Sequence, residues 1–298
     1  MFKMGKRFFL FITVNILILA TLSITMRLLG VGNYFSARGI DYQSLMLFCL
    51  VWGMGGAFIS LALSRVMAKW MMGVVVIDPD TRQTELGELV RMVHKLARAA
   101  NLPAMPEVGY YPSQEINAFA TGPTKSRALV AVSAGLLERM DRTQLEGVLA
   151  HEISHIANGD MVTMTLIQGV INAFVMFLAR VIAFFLANRG RDSESSVSPN
   201  YLIIFLLEMV LSVLGMIVVS AFSRSREYRA DEGGAQLAGR TSMIKALEAL
   251  QSTVAYADLT GKEALATLKI SGKPKGFFSL FATHPPLEDR IEKLKAAV

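Results

Sequence analysis

The run His151-Glu152-Ile153-Ser154-His155 carries the most specific chemistry in this sequence. Residues four apart in a helix project from one side, a turn apart, so both imidazoles can grip a single metal ion. Glu152, next to the first histidine, is close enough to hold a water on that metal and take its proton. The spacing therefore predicts a zinc-dependent peptide hydrolase. The surrounding residues supply the helix: Asp141 can cap it, Gln144 completes a capping box, and Asn158-Gly159 ends it. Leu145, Val148, Leu149, Ile153 and Ile156 mark its buried side, and His151 and His155 lie together on a neighbouring face.

Two histidines leave a zinc with an open water position short of one protein ligand. The other histidines are His94 and His284. His94 falls off the apolar stripe of a predicted helix at 86–101 and reads as solvent-facing. His284, followed by Pro285 and Pro286, reads by itself as a turn residue that opens a helix. The segment 223–232 offers carboxylates. Glu227 and Asp231, four apart, share a helix face, so one can bind metal while the other orients a histidine. The plain alternative is a charged membrane flank, as its arginines suggest. A scaffold with structural zinc would close the metal's coordination shell. An intramembrane protease would carry its motif in an apolar helix, whereas this one follows Asp141, Arg142, Gln144 and Glu146.

These residues must be held by a chain that is 53% apolar and only 18% charged, which excludes an ordinary soluble protein. Four long apolar stretches, 8–26, 45–63, 162–186 and 201–222, come near the ~20 residues a helix needs to cross hydrocarbon, and they are expected to form two hairpins. The first follows Lys3, Lys6 and Arg7 and reads as a retained anchor. If all four span, those residues, Arg65 and Lys69, and Arg224, Arg226 and Arg229 fall on one side, the cytoplasm. The metal-binding candidates then face the cytosol close to the membrane surface. A net charge of +6 needs no nucleic acid to explain it, because much of it lies at membrane flanks. The single cysteine, Cys49, excludes an intrachain disulfide. Arg180 and Glu208 fall at matching depth in the second hairpin, where they either pair or separately reach water.

Between the hairpins, strands are expected at 74–77, 108–111, 117–120 and 128–132, making a small mixed sheet beside helices. Asn117, Ala118, Phe119 and Ala120 are the candidate edge, able to pair with an extended substrate through its backbone. The fold class is α+β: membrane helices plus a cytosolic zincin-like catalytic domain. The expected divisions are a first hairpin at 1–72, the first part of the catalytic domain at 73–160, a second hairpin at 161–222, and the rest of the catalytic domain at 223–298.

Over nearly its whole length the chain resembles the HtpX group of bacterial membrane zinc endopeptidases, relatives of the prenyl-protein endopeptidases. The matching pieces are His151-Glu152-Ile153-Ser154-His155, Glu227 with Asp231, Asn117-Ala118-Phe119-Ala120, and Thr283-His284-Pro285-Pro286 followed by Arg290. The resemblance implies that His151, His155 and Glu227 bind one Zn2+ per chain, that Glu152 is the general base, and that Asp231 supports the site. It places His284 and Arg290 near the metal. His284 could stabilise the oxyanion or occupy the open position, and Arg290 could clamp Glu227 or Asp231. It further implies a multi-pass protein of the bacterial inner membrane that cuts misfolded or surplus membrane proteins on the cytoplasmic side. Its partners are then those substrates and the lipid bilayer, with no nucleic acid. Lys262, Lys269, Lys273 and Lys275, ahead of Phe277, Phe278, Leu280 and Phe281, could rest on the membrane or line a substrate groove.

Overall fold

The computed structural model describes residues 39–82, 84–188, 201–260 and 276–296, together with Ile24, Leu28 and Phe35–Ser36. The expected anchor at 8–26, apart from Ile24, the loop at 189–200 and the lysine-rich stretch 262–275 lie outside the described residues. The chain divides into two compact units, Met1–Ser60 with Met164–Val219, and Leu61–Thr163 with Ser220–Val298.

In the first unit, β1 (Phe35–Ser36) pairs antiparallel with β2 (Gly39–Ile40). Asp41 then starts α1 (Tyr42–Met71), its side chain accepting from the backbone of Gln43 and Ser44 and from the Ser44 hydroxyl. With α5 (Asp160–Asn188) and α6 (Tyr201–Ala238), α1 is one of 3 helices, among the described residues, long and apolar enough to cross a membrane. Close approach depends on small residues: a Cβ on Gly53 would sit 2.4 Å from the Ala173 backbone nitrogen. Arg180 Nη1 donates to Glu208 Oε1 at 2.5 Å and to the Met176 carbonyl at 3.0 Å, with its guanidinium 5.1 Å from the Phe48 ring centre. The two charges of the second hairpin are thus paired, as an expensive charge in an apolar bundle requires.

The second unit holds the expected mixed sheet. β3 (Val75–Val76), β4 (Glu107–Tyr111), β5 (Ala118–Thr121) and β6 (Leu129–Ser133) lie in the order β3-β4-β6-β5; β4 and β6 are parallel, the other pairs antiparallel. β5 is an edge, in agreement with the sequence expectation. Every residue of central β6 is buried. α2 (Thr84–Ala99) lays Leu89, Val93 and Leu96 against Val108, Val130 and Val132 of the sheet and against Leu149, Ile153 and Ile156. His94 is half-buried, not solvent-facing, because its Nε2 lies 3.3 Å from the Pro106 carbonyl.

After the short α3 (Ala134–Arg139), α4 (Arg142–Asn158) carries the predicted capping box between Asp141 and Gln144. It ends at Gly159, whose φ of 73° is the left-handed conformation that favours glycine. α7 (Arg240–Thr260) crosses α4 at Gly147, where a Cβ would meet the Ser242 carbonyl oxygen at 2.4 Å. A 3₁₀ turn (Gly276–Phe281) leads to α8 (Leu287–Ala296), whose Leu287, Ile291 and Leu294 pack on Met243 and Leu247 of α7.

Candidate metal centre

Two helices bring the ligands together. α4 contributes His151 and His155 from one face, and α6 contributes Glu227, all three buried. One ligand atom from each lies within 4.8 Å of the others. The two Nε2 atoms are 3.0 Å apart, and Glu227 oxygens stand 3.4 Å from each of them. Ligand atoms of a tetrahedral zinc, at about 2.0–2.1 Å from the ion, are roughly 3.3 Å from one another, so this donor set matches zinc in type and in spacing. Glu227 Oε1 points the same way: it is buried and, among the described residues, accepts no hydrogen bond, although Arg226 Nη2 comes within 2.8 Å.

Each histidine is oriented by a carboxylate on its other nitrogen. His151 Nδ1 lies 3.0 Å from Asp231 Oδ1, and His155 Nδ1 lies 2.7 Å from Asp160 Oδ2. A proton on Nδ1 shared with each carboxylate leaves Nε2 as the metal-facing lone pair. Asp231 is itself held by Arg290, which donates from Nε at 2.7 Å and from Nη2 at 2.6 Å in a fork. Burial works against the charge on Asp231, but Arg290 and His151 outweigh it and hold the carboxyl below its usual range. Burial likewise favours a neutral His151, yet Asp231 and Glu227 raise that imidazole to about 9. Glu227 is held far below the carboxylate range because His151, His155 and His284 overcome its burial. His284 Nδ1 sits 2.8 Å from Glu227 Oε2, with 48% of the side chain exposed.

Glu152 faces the sheet edge. The Ala120 N–H donates to Glu152 Oε2 at 2.8 Å, which fixes the carboxylate against β5. Since Ala118 and Ala120 point their backbone groups the same way along a strand, the free edge of β5 opens toward this glutamate. A cavity of about 320 Å³ joins these parts: Asn117, Ala118, Glu152 and His284 line it together with an apolar wall that includes Leu136, Met243 and Leu247.

The model for Peptidase family M48 matches residues 83–298. The chain belongs to that family. It is a metalloendopeptidase, and members of the family generally use zinc. It is 51% identical over 300 residues to the protease HtpX homolog of Bacillus subtilis (strain 168), covering 98% of this chain and 100% of that one. The protease HtpX homologs of Methylacidiphilum infernorum (isolate V4) and Nitrosomonas europaea are each 49% identical, over 98% and 99% of this chain and 99% and 100% of theirs. The fold is similar to that in the crystal structure of S. mikatae Ste24p, with a TM-score of 0.59 at 17% identity, over 84% of this chain and 58% of that one. The three apolar helices and the HtpX homologs fit a membrane-bound peptidase.

The M48 member thus brings His151, His155, Glu227, Asp231, Glu152, His284 and Arg290, with Asn117, Ala118 and Ala120 of the expected edge, into one site, all of them singled out in the sequence; Phe119 of that edge packs instead against Tyr111. Asp160 was missed. It follows directly on the Asn158-Gly159 stop and reads there only as the acidic start of the next helix; its distance of five residues from His155, across a helix end, was the available signal. Arg226 was read as membrane flank, but the structure sets it beside Glu227.

Proposed function

We propose that this peptidase cuts misfolded or surplus membrane proteins on the cytoplasmic side of a bacterial inner membrane, with Glu152 as general base. The observation that carries the reading is the Ala120 N–H to Glu152 bond: it ties the acid–base group to the edge strand, beside His151, His155 and Glu227. An extended substrate added to β5 lies along that edge, held mainly by main-chain hydrogen bonds and thus with little demand on its side chains. That suits a protease whose substrates are recognised by being exposed or unfolded.

His151, His155 and Glu227 would hold the zinc, which would supply Lewis acidity toward the peptide carbonyl and the attacking water. Glu152, held through Oε2, keeps acceptor capacity to take a proton from the attacking water and can afterwards deliver it to the leaving amine. His284 lines the same cavity and is placed to donate to the carbonyl oxygen as negative charge develops there. Asp231 and Asp160 fix the histidine rings, and Arg290 fixes Asp231. The cytoplasmic placement is supported by Arg65, Lys69, Arg224, Arg226 and Arg229 at the ends of apolar helices.

The test uses full-length protein in detergent, stripped with a chelator and assayed on a membrane-protein substrate with and without added zinc. Cleavage is expected to need zinc and to fall by about a thousand-fold or more in Glu152→Gln, while that variant binds zinc normally. Proteolysis retained by Glu152→Gln at wild-type rate would remove Glu152 from the mechanism.

A further inference from the structure

The catalytic unit contains a polar ladder beyond the metal site. Ser220, Arg224, Glu227 and Asp231 are spaced four, three and four apart, one stripe along α6. Each bonds to the same C-terminal segment: the Ser220 hydroxyl donates to the Phe281 carbonyl at 3.1 Å, and Arg224 Nη1 to the carbonyls of Leu280 at 3.0 Å and Ala282 at 2.8 Å. Next along come His284 on Glu227 and Arg290 on Asp231. The segment runs alongside the helix that supplies the third ligand, rung after rung.

Pro285 and Pro286 have no N–H to donate, and Leu280, Thr283 and His284 are exposed. Among the described residues the segment's apolar anchorage past His284 is the buried Pro285 and Leu287, the latter packed on α7. From Leu280 to Ala282, three consecutive carbonyls are instead held by two side chains of α6, one of them charged and making two bonds at once. We propose that Arg224, assisted by Ser220, is a positioning residue for His284: by gripping the carbonyls of residues 280–282 it sets the imidazole against Glu227 and over the substrate cavity. The inference rests on reading this site as a hydrolytic centre in which His284 acts on the substrate.

Full-length, zinc-loaded protein carrying Arg224→Gln, Arg224→Lys or Ser220→Ala, each with and without His284→Ala, tests it. Arg224→Gln is expected to lower kcat by about ten-fold with KM within about two-fold. Zinc affinity should be unchanged, and amide exchange at residues 279–284 faster. Arg224→Lys should recover part of the loss, and Arg224→Gln should cost nothing further once His284 is alanine. An equal fold-loss in the His284→Ala background, or unchanged exchange at 279–284, would overturn the proposal. Should Arg224→Gln fail to fold, Ser220→Ala carries the same comparison with a smaller effect. Absence of zinc-dependent cleavage by the wild type would sink the hydrolytic reading separately, and exchange in Arg224→Gln would then decide alone whether Arg224 holds the segment.

Discussion

At the scale of single residues, the two metal-facing histidines use carboxylates of unequal obligations. Asp160 orients His155, and its other close ion pair is a long one, 3.9 Å, to the mostly exposed Arg229. Asp231 orients His151 and also neutralises the buried Arg290. Asp160→Asn and Asp231→Asn are both expected to weaken zinc binding by about 10–100-fold, measured by chelator competition. Only Asp231→Asn should also cost stability, by about 3 kcal/mol in urea unfolding of the zinc-free protein, because it takes from a buried guanidinium the carboxylate on both its short bonds and leaves the more distant Glu227, at 3.6 Å. Equal stabilities for the two variants would contradict this division of labour. The histidine pair and Glu152 were legible in the sequence because their geometry is that of one helical turn. Asp160, Ser220 and Arg224 were not, because their partners are set by the end of one helix or by a distant segment.

At the scale of elements, the site depends on how closely α4 and α7 approach. Alanine in place of glycine ordinarily stabilises a helix by roughly 1 kcal/mol, but at Gly147 the new methyl would lie 2.4 Å from a backbone carbonyl, which cannot swing away as a side chain could. Overpacking of this kind costs about 1–3 kcal/mol, so Gly147→Ala should lower the unfolding midpoint; a midpoint raised by the substitution would show that the helices separate freely. Glu107 of β4 pairs with Arg65 and Lys69 of α1. Burial works against its charge, but Lys69 and Arg65 prevail, so its carboxyl titrates below the ordinary glutamate value. A folded-state value below the unfolded one gives stability that is present above the unfolded value and lost as the pH falls through the folded one. Glu107→Gln should therefore destabilise by up to about 1 kcal/mol at pH 7, with the difference from wild type vanishing at acid pH below both values. The strands and α4 were readable from alternation, turn residues and caps. The length of α6 was not: composition changes sharply from apolar to charged near residue 222, yet the helix runs unbroken from Tyr201 to Ala238 because both halves suit a helix and no Pro or Gly intervenes at the change.

At the scale of the whole molecule, sidedness rests on charge. Arg65 and Lys69 follow one apolar stretch and Arg224, Arg226 and Arg229 follow another. The loop 189–200 joins two apolar stretches and carries Arg189 and Arg191 against Asp192 and Glu194. Since orientation follows the excess of lysine and arginine in short flanks, this pattern supports the proposed placement of the metal site in the cytosol, with the loop on the opposite side. The lone cysteine makes this measurable, because Cys49→Ala leaves a background into which one new thiol can be placed. Glu138→Cys, exposed near the end of α3, should resist a membrane-impermeant maleimide in intact cells and react once the cells are opened, whereas Ser195→Cys should react in both. Labelling of Glu138→Cys in intact cells would put the peptidase site outside the cytosol and direct the search for substrates to the other face of the membrane.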